Sequence, residues 1–263
     1  MNTQDTQRLQ EFLDKNPIIT IIPHTNPDGD AIGSSLGLYL FLKAQNHNVK
    51  VITPTDFPDF LKWMPAADDI LIYPNHEKEA QERIESSTLI FTLDFNNLLR
   101  AKPLTPFLEK ATAPFVMIDH HQQPDTYATI TYSNDKASST CELVYHTIVS
   151  LASEQVIDEA IATCLYTGIM TDTGGFRYSL TSPTTHRIVA TLLEKGANCT
   201  RISSEVFDSY SLDRLQLLGN VLKGLVYLPE YKTAYMSISS KELKQFNFRK
   251  GDTEGFVNYG LRI

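Results

Sequence analysis

The chain alternates short apolar runs with longer segments in which apolar residues recur every three or four positions. The short runs, typical of buried strands, lie at residues 18–23, 49–53, 70–73, 88–93 and 114–118. Helical spacing predicts helices at residues 6–15, 30–45, 76–86, 138–151, 158–170 and 186–193. This alternation predicts an α/β fold with a doubly wound, mainly parallel sheet.

The pattern changes after the helix that ends at Gly196. Residues 204–225 are predicted to form one long connecting helix, and residues 227–263 to form strands with a short helix near 241–246. We therefore expect a catalytic domain at residues 1–195, a linker with the connecting helix at 196–226, and a partial second α/β domain at 227–263. That last segment is too small to form a core of its own.

Side chains of the types that bind metal ions follow four of the apolar segments. They are His24, Asp28 and Asp30 after residues 18–23, Asp94 after 88–93, Asp119, His120 and His121 after 114–118, and Asp172 after 164–171. Because the carboxyl ends of parallel strands meet at one edge of a sheet, we expect these side chains to converge. The segment before Asp172 has helical spacing, so this residue is expected to end a helix.

Each of these residues also has an ordinary explanation when it is taken alone. Asp30 can cap the helix that it begins, and Asp94 or Asp172 can occupy a turn. The triplet at residues 119–121 is harder to explain, because titratable side chains beside a buried strand end are costly without partners. Because metal-binding side-chain types recur at the ends of four separate apolar segments, one shared site is favoured.

The types of donor in this set indicate which ion it would hold. Carboxylates come from Asp28, Asp30, Asp94 and Asp172, and neutral nitrogens from His24 and His120. Crowded carboxylates repel one another unless cations balance them. Oxygen-rich donors without thiolates suit two Mn²⁺, with Mg²⁺ or Co²⁺ as substitutes. A pair of such ions activates water and clamps a phosphoryl group, so the set predicts phosphoester hydrolysis.

Composition narrows the class of partner. The 263 residues are 42% hydrophobic and 21% charged, which is ordinary for a globular protein. We expect a cytoplasmic protein with no membrane partner, because there is no apolar window of spanning length, no secretory signal, and only three scattered cysteines. With 23 basic and 31 acidic residues, the formal charge is −8. That charge disfavours long duplex DNA as a partner.

The motifs around these residues resemble those of the DHH phosphoesterase superfamily. The chain carries HTNPDGDAIGS at residues 24–34, Asp94, the triplet Asp119-His120-His121, and TDTG at 171–174, in the family's order. It is most similar to the nanoRNase group, which degrades very short RNAs and removes the 3′-phosphate from 3′-phosphoadenosine 5′-phosphate. The resemblance implies hydrolysis of one or both substrates by metal-activated water, and a homodimer.

The resemblance also implies roles for single residues. It places His24, Asp28 and Asp94 on one Mn²⁺, and Asp30, Asp94, His120 and Asp172 on the other. It makes Asp119 the residue that orients a ligand histidine, and His121 the residue that faces the substrate phosphate. Ser34 and Arg177 are candidate substrate contacts, although Ser34 can equally be an ordinary helix-start residue and Arg177 a solvated arginine.

The chain departs from the nanoRNase group in one respect, and alternative functions remain open. Residues 252–258 resemble the opening of the group's DHH-associated domain, which normally continues to a Gly-Gly-Gly-His motif. The chain stops at Ile263, so we expect that domain to be truncated. A cyclic-dinucleotide or linear-dinucleotide phosphodiesterase could use the same metal site. A non-catalytic nucleotide-binding relative is the alternative from a different class.

Overall fold

A computed structural model describes residues 1–263, which divide into two compact units. The first unit comprises Met1–Phe57 and Leu61–Ile202. The second unit comprises Pro58–Phe60 and Ser203–Ile263. None of the helices has the length and hydropathy needed to cross a membrane.

A six-stranded sheet forms the centre of the first unit. Its strands are β1 (Ile18–Pro23), β2 (Asn48–Thr53), β3 (Leu71–Ile72), β4 (Leu89–Leu93), β5 (Phe115–Asp119) and β6 (Ile130–Ser133). Their order is β3-β2-β1-β4-β5-β6, and every neighbouring pair is parallel. The order reverses direction between β1 and β4, where doubly wound sheets open a crevice at the carboxyl ends of their strands. The predicted fold class is confirmed.

The first unit also contains eight α-helices. They are α1 (Thr3–Leu13), α2 (Gly29–Ala44), α3 (Glu77–Ser86), α4 (Thr105–Leu108), α5 (Thr140–Leu151), α6 (Glu159–Asp172), α7 (Pro183–Glu194) and α8 (Cys199–Ser203). The strands β1, β4 and β5 are almost wholly buried along their length. Continuous burial is the pattern of parallel strands packed on both faces, which explains their unbroken apolar runs.

Glycines allow α2 and α6 to pack at very short range. A Cβ atom on Gly33 would lie 2.6 Å from the backbone oxygen of Cys164 in α6, and one on Gly168 would lie 3.1 Å from the Cα atom of Asp30 in α2. A packed interior does not tolerate such overlap without rearrangement. The close approach brings Asp30, in the first turn of α2, near Asp172, the last residue of α6.

The second unit contains short elements around a small apolar core. They are α9 (Leu212–Lys223), β7 (Val226–Leu228), β8 (Thr233–Tyr235), α10 (Ser240–Gln245) and α11 (Val257–Gly260). Strands β7 and β8 form an antiparallel pair. Leu217, Val221 and Phe256 are buried together as the core. The domain boundaries expected at residues 195 and 226 remain a prediction.

The prediction of one long connecting helix over residues 204–225 is wrong. A π-helical turn covers Ser204–Asp208, and α9 begins only at Leu212. Between them, Ser211 has an extended backbone and its side chain accepts a hydrogen bond from the amide of Arg214. A serine that caps a helix in this way interrupts the helical run.

The strand predictions also differ in detail. The predicted strand at residues 70–73 is reduced to β3, because Tyr73 begins a short 3₁₀ turn with a proline. The strands predicted within residues 227–263 are reduced to β7 and β8, which have three residues each. Strand β6 was not predicted, since only Ile130 of its four residues is fully buried.

Candidate metal centre

The predicted site residues occupy the carboxyl edge of the sheet beside the reversal in strand order. Strands β1, β4 and β5 are neighbours. His24 directly follows β1, Asp94 directly follows β4, and Asp119 is the last residue of β5. Asp172 ends α6, which confirms that it leaves a helix. The strand order therefore brings the first three segments together, and the close packing of α6 on α2 adds Asp172.

A first cluster contains His24, Asp28 and Asp94. The Nε2 atom of His24 lies 3.4 Å from Oδ2 of Asp94 and 4.0 Å from Oδ1 of Asp28. The Nδ1 atom of His24 lies 2.9 Å from the carbonyl oxygen of Thr25. Because a carbonyl only accepts hydrogen bonds, Nδ1 carries a proton, and Nε2 is the nitrogen that faces the carboxylates.

Asp28 has a second role in this cluster. It is the N-cap of α2, and its Oδ1 accepts hydrogen bonds from the amides of Asp30 and Ala31, each at 3.1 Å. The sequence predicts the cap at Asp30, but Asp30 lies inside the helix and Asp28 is the cap instead. Capping does not exclude a ligand role for Asp28, since a carboxylate has several lone pairs.

A second cluster contains Asp30, His120 and Asp172. The Nε2 atom of His120 lies 3.5 Å from Oδ2 of Asp172 and 3.9 Å from Oδ2 of Asp30. It also lies 3.6 Å from Oδ1 of Asp94. One imidazole nitrogen thus faces three carboxylates at distances that leave room for a cation among them.

Asp94 joins the two clusters. Its Oδ2 faces His24 and its Oδ1 faces His120, so the two oxygens of one carboxylate serve different groups of ligands. The residue is buried and its φ of 65° lies in the left-handed region. Aspartate is among the few residues other than glycine that adopt this conformation readily.

The charges in these clusters are not balanced by the protein. Burial, followed by repulsion from Asp94, raises the pKa of Asp30 to about 7. Burial, followed by repulsion from Asp30, raises the pKa of Asp172 to about 7, and burial places the pKa of Asp94 well above its ordinary value. Burial lowers the pKa of His120, but the surrounding carboxylates outweigh it and raise that pKa overall. A divalent cation would relieve this repulsion.

Asp119 and His121 form a pair, and His121 also belongs to a third group of possible ligands, with Asp94 and His120. Oδ1 of Asp119 lies 2.7 Å from Nδ1 of His121, and Asp119 is fully buried. We expected Asp119 to orient a ligand histidine. The structure instead pairs it with His121, the residue expected to face substrate, while Nδ1 of His120 has no hydrogen-bond partner.

The comparison with known sequences and structures decides the family. Residues 18–169 match the DHH family, N-terminal domain, which is more than half of the chain. The chain belongs to the DHH family. Its name-giving triplet is Asp119-His120-His121.

Two curated relatives and one solved structure show how similar this chain is to known proteins. The bifunctional oligoribonuclease and PAP phosphatase NrnA of Thermus thermophilus is 30% identical over 210 residues, which cover 80% of this chain and 59% of the relative. The probable NrnA of Streptococcus mutans is 27% identical over 242 residues, which cover 91% of this chain and 72% of the relative. An exopolyphosphatase-related protein from Bacteroides fragilis has a TM-score of 0.95 and 40% identity, covering 100% of this chain and 77% of that one. The chain thus spans 59% of the length of the Thermus relative.

The donor set of this DHH centre fits divalent metal ions. Every residue of both clusters offers a carboxylate oxygen or an imidazole nitrogen. The nearby thiol of Cys141 is directed at the backbone oxygen of Asp30, at 3.6 Å, and belongs to neither cluster. Oxygen and imidazole donors without thiolates suit Mn²⁺ and Mg²⁺ better than a structural zinc ion.

The two expected substrate contacts lie in different surroundings. The hydroxyl of Ser34 is fully buried in α2 and donates to the carbonyl of Ala31, so it offers no surface to a substrate in this conformation. Arg177 is exposed, and its Nε donates to the carbonyl of Gly174 at 2.6 Å. A substrate role for Arg177 remains a prediction.

Sequence reasoning missed one contributor to the DHH centre. Thr140, the first residue of α5, donates from Oγ1 to Oδ1 of Asp94 at 2.9 Å. Its backbone amide donates to Asp30 at 2.6 Å. The only signal was the hydroxyl run Ser138-Ser139-Thr140 before an apolar helix, which reads as an ordinary helix start.

Proposed function

We propose that this chain is a phosphoesterase that uses two divalent metal ions to hydrolyse small nucleotide substrates. The supporting observation is that two ligand clusters share the carboxylate of Asp94, each through a different oxygen. His24 and Asp28 would complete one metal site, and Asp30, His120 and Asp172 the other. When bound, such ions supply Lewis-acid chemistry at phosphorus and activate water.

In this proposal, His121 handles a proton at the substrate. Its side chain is 34% exposed, whereas that of His120 is only 13% exposed. Asp119 accepts the hydrogen bond from Nδ1 of His121, which leaves Nε2 as the nitrogen available to a phosphate or leaving-group oxygen. A histidine held in one tautomer is suited to proton transfer.

The substrate class is proposed from the relatives and from the charge. Two relatives are named as oligoribonuclease and PAP phosphatase. A net charge of −8 favours a small substrate over long nucleic acid. We infer that the substrates are short oligoribonucleotides, 3′-phosphoadenosine 5′-phosphate, or both, and that Mn²⁺ is the preferred ion, with Mg²⁺ or Co²⁺ as substitutes.

The test is a substrate panel with purified, metal-free protein. Diadenylate carrying a 5′-phosphate and 3′-phosphoadenosine 5′-phosphate are each incubated with Mn²⁺ or with EDTA, and mononucleotide and inorganic phosphate are quantified. We expect turnover only with Mn²⁺, and its loss in Asp94→Asn. Tight nucleotide binding without product from any phosphoester in the panel would contradict the proposal and favour a binding protein.

A second candidate substrate is inorganic polyphosphate. Its support is the 40% identity, over the whole of this chain, with a protein titled as exopolyphosphatase-related. The same panel therefore includes polyphosphate and a cyclic dinucleotide. A higher kcat/KM for polyphosphate than for both nucleotides would favour this candidate.

A further inference from the structure

We propose that Thr140 is a positioning residue that fixes the rotation of the Asp94 carboxylate, so that its two oxygens can serve both ligand clusters. The inference rests on the proposed metal-dependent function. It adds a residue that touches neither substrate nor ion and acts through Asp94.

The first observation is the hydrogen bond itself. Thr140 is fully buried, and its Oγ1 donates to Oδ1 of Asp94 at 2.9 Å. The two imidazole nitrogens that face that oxygen, Nε2 of His120 and Nδ1 of His121, lie at 3.6 and 3.8 Å, beyond hydrogen-bond range. The hydroxyl is therefore the side-chain donor that holds this oxygen.

This bond determines where the other oxygen points. The last side-chain torsion of aspartate is broad, so an untethered carboxylate turns easily. With Oδ1 held by Thr140, Oδ2 is directed at His24, 3.4 Å away. Without this hydrogen bond the carboxylate could rotate, and its two oxygens would no longer each face their own cluster.

The backbone of the same turn holds the second acidic ligand. The amide of Thr140 donates to Oδ2 of Asp30 at 2.6 Å, and the amide of Cys141 donates to Oδ1 at 2.9 Å. These amides open α5, where the helix dipole favours negative charge. Thr140 thus contacts the carboxylate that follows β4 and the carboxylate in the first turn of α2, which are far apart in the sequence, and sets their relative placement.

Threonine can be altered here without removing the backbone contacts. Valine has nearly the same shape and keeps the amide but lacks the hydroxyl donor. Serine keeps the donor and loses only a methyl group. Comparing the valine and serine variants separates the effect of the hydrogen bond from the effect of side-chain packing.

Thr147 provides a matched control on the same helix. It is also buried, and its hydroxyl donates to the carbonyl of Leu143 at 2.9 Å. It lies roughly 10 Å further along α5, at about 1.5 Å of rise per residue. Thr147→Val removes a comparable hydroxyl away from the ligand clusters.

The experiment measures Mn²⁺ affinity and stoichiometry by titration calorimetry on metal-free wild type, Thr140→Val, Thr140→Ser and Thr147→Val. Melting in EDTA shows whether each variant is folded. We expect Thr140→Val to weaken Mn²⁺ binding about 10- to 100-fold, the usual effect of losing a group that orients a metal ligand. Thr140→Ser and Thr147→Val should bind like wild type. If Thr140→Val does not fold, Thr140→Ala serves in its place.

Unchanged affinity in Thr140→Val would overturn the inference, as would an equal loss in Thr147→Val or a failure of serine to restore binding. A wild type that binds no Mn²⁺ would overturn it as well. Because binding is measured without substrate, the proposed function is tested separately. A wild type that binds two ions but hydrolyses nothing would contradict the function and leave the role of Thr140 intact.

Discussion

The Nδ1 atom of His121 lies 2.7 Å from Oδ1 of Asp119, a carboxyl group buried at the end of β5. The two outer residues of the DHH triplet are therefore partners, and the middle residue, His120, is left to face the acidic cluster. Since a carboxylate accepts the Nδ1 proton, the pair fixes the tautomer of His121. In the proposed function, His120 is a metal ligand and His121 is a histidine that Asp119 orients.

This division predicts separate effects on turnover and on metal content. His121→Gln should lower kcat about 10²- to 10⁴-fold, the usual contribution of a positioned proton donor, and leave bound Mn²⁺ unchanged. Kinetics with 3′-phosphoadenosine 5′-phosphate and metal analysis of the same sample measure both. His76→Gln is the control, because His76 is a half-exposed surface histidine. Wild-type kcat in His121→Gln would contradict the proton-transfer role.

The shared carboxylate predicts unequal losses of metal. Asp172→Asn removes one member of the second cluster and leaves His24, Asp28 and Asp94 in place, so we expect about one ion to be retained. Asp94→Asn weakens both clusters and should abolish binding under the same conditions. Metal analysis after dialysis against Mn²⁺ measures the ratio. The exposed Asp68→Asn is the control, and equal retention by the Asp94 and Asp172 variants would contradict the sharing of Asp94.

The raised pKa values predict that metal-free protein loses stability as pH rises. The pKa of Asp30 and of Asp172 is about 7 when folded, against an ordinary 3.8. Between these values the folded state binds more protons than the unfolded state, so the free energy of unfolding falls with increasing pH. The raised pKa of His120 acts in the same direction.

Thermal melts in EDTA from pH 4 to pH 8 measure this effect. We expect Tm to fall across the range, and the fall to be shallower in Asp172→Asn, which lacks one of the titrating groups. Added Mn²⁺ should raise Tm more at pH 8 than at pH 5, because ions bind deprotonated ligands. If Tm fell equally steeply with pH in wild type and in Asp172→Asn, the acidic cluster would not be the cause of the pH dependence.

The contact between α2 and α6 predicts a packing effect. Gly33→Ala would place a Cβ 2.6 Å from backbone and should destabilise the protein by about 1–3 kcal/mol. Gly219, inside α9, has no neighbouring atom within 4 Å of such a Cβ. Gly219→Ala should therefore stabilise by about 0.5–1 kcal/mol through helix propensity. Denaturant unfolding measures both, and a neutral Gly33→Ala would argue against the close packing.

Much of the fold could be predicted because the central strands are buried on both faces. Their uninterrupted apolar runs mark β1, β4 and β5, and residues that follow such strands share one edge of the sheet. The convergence of His24, Asp94 and His120 could therefore be predicted. Strand β6 could not, because it has one buried residue, and neither could the break at Ser211, which interrupts a helical pattern locally.

The supporting contacts could not be predicted in the same way. Thr140 is separated by 46 residues from Asp94 and by 110 from Asp30. No spacing rule links positions so far apart, and a hydroxyl at a helix start has an adequate local explanation as a cap. The pairing of Asp119 with His121 rather than His120 depends on the local backbone, which the triplet itself does not specify.

The central claim is that two cations share the carboxylate of Asp94, and anomalous diffraction at the manganese edge tests it most directly. Crystals of the protein soaked in Mn²⁺ should show two anomalous peaks on opposite sides of that carboxylate. One peak should lie beside His24 and Asp28, and the other beside His120 and Asp172. No peak among these residues, or a single peak that does not contact Asp94, would contradict the account.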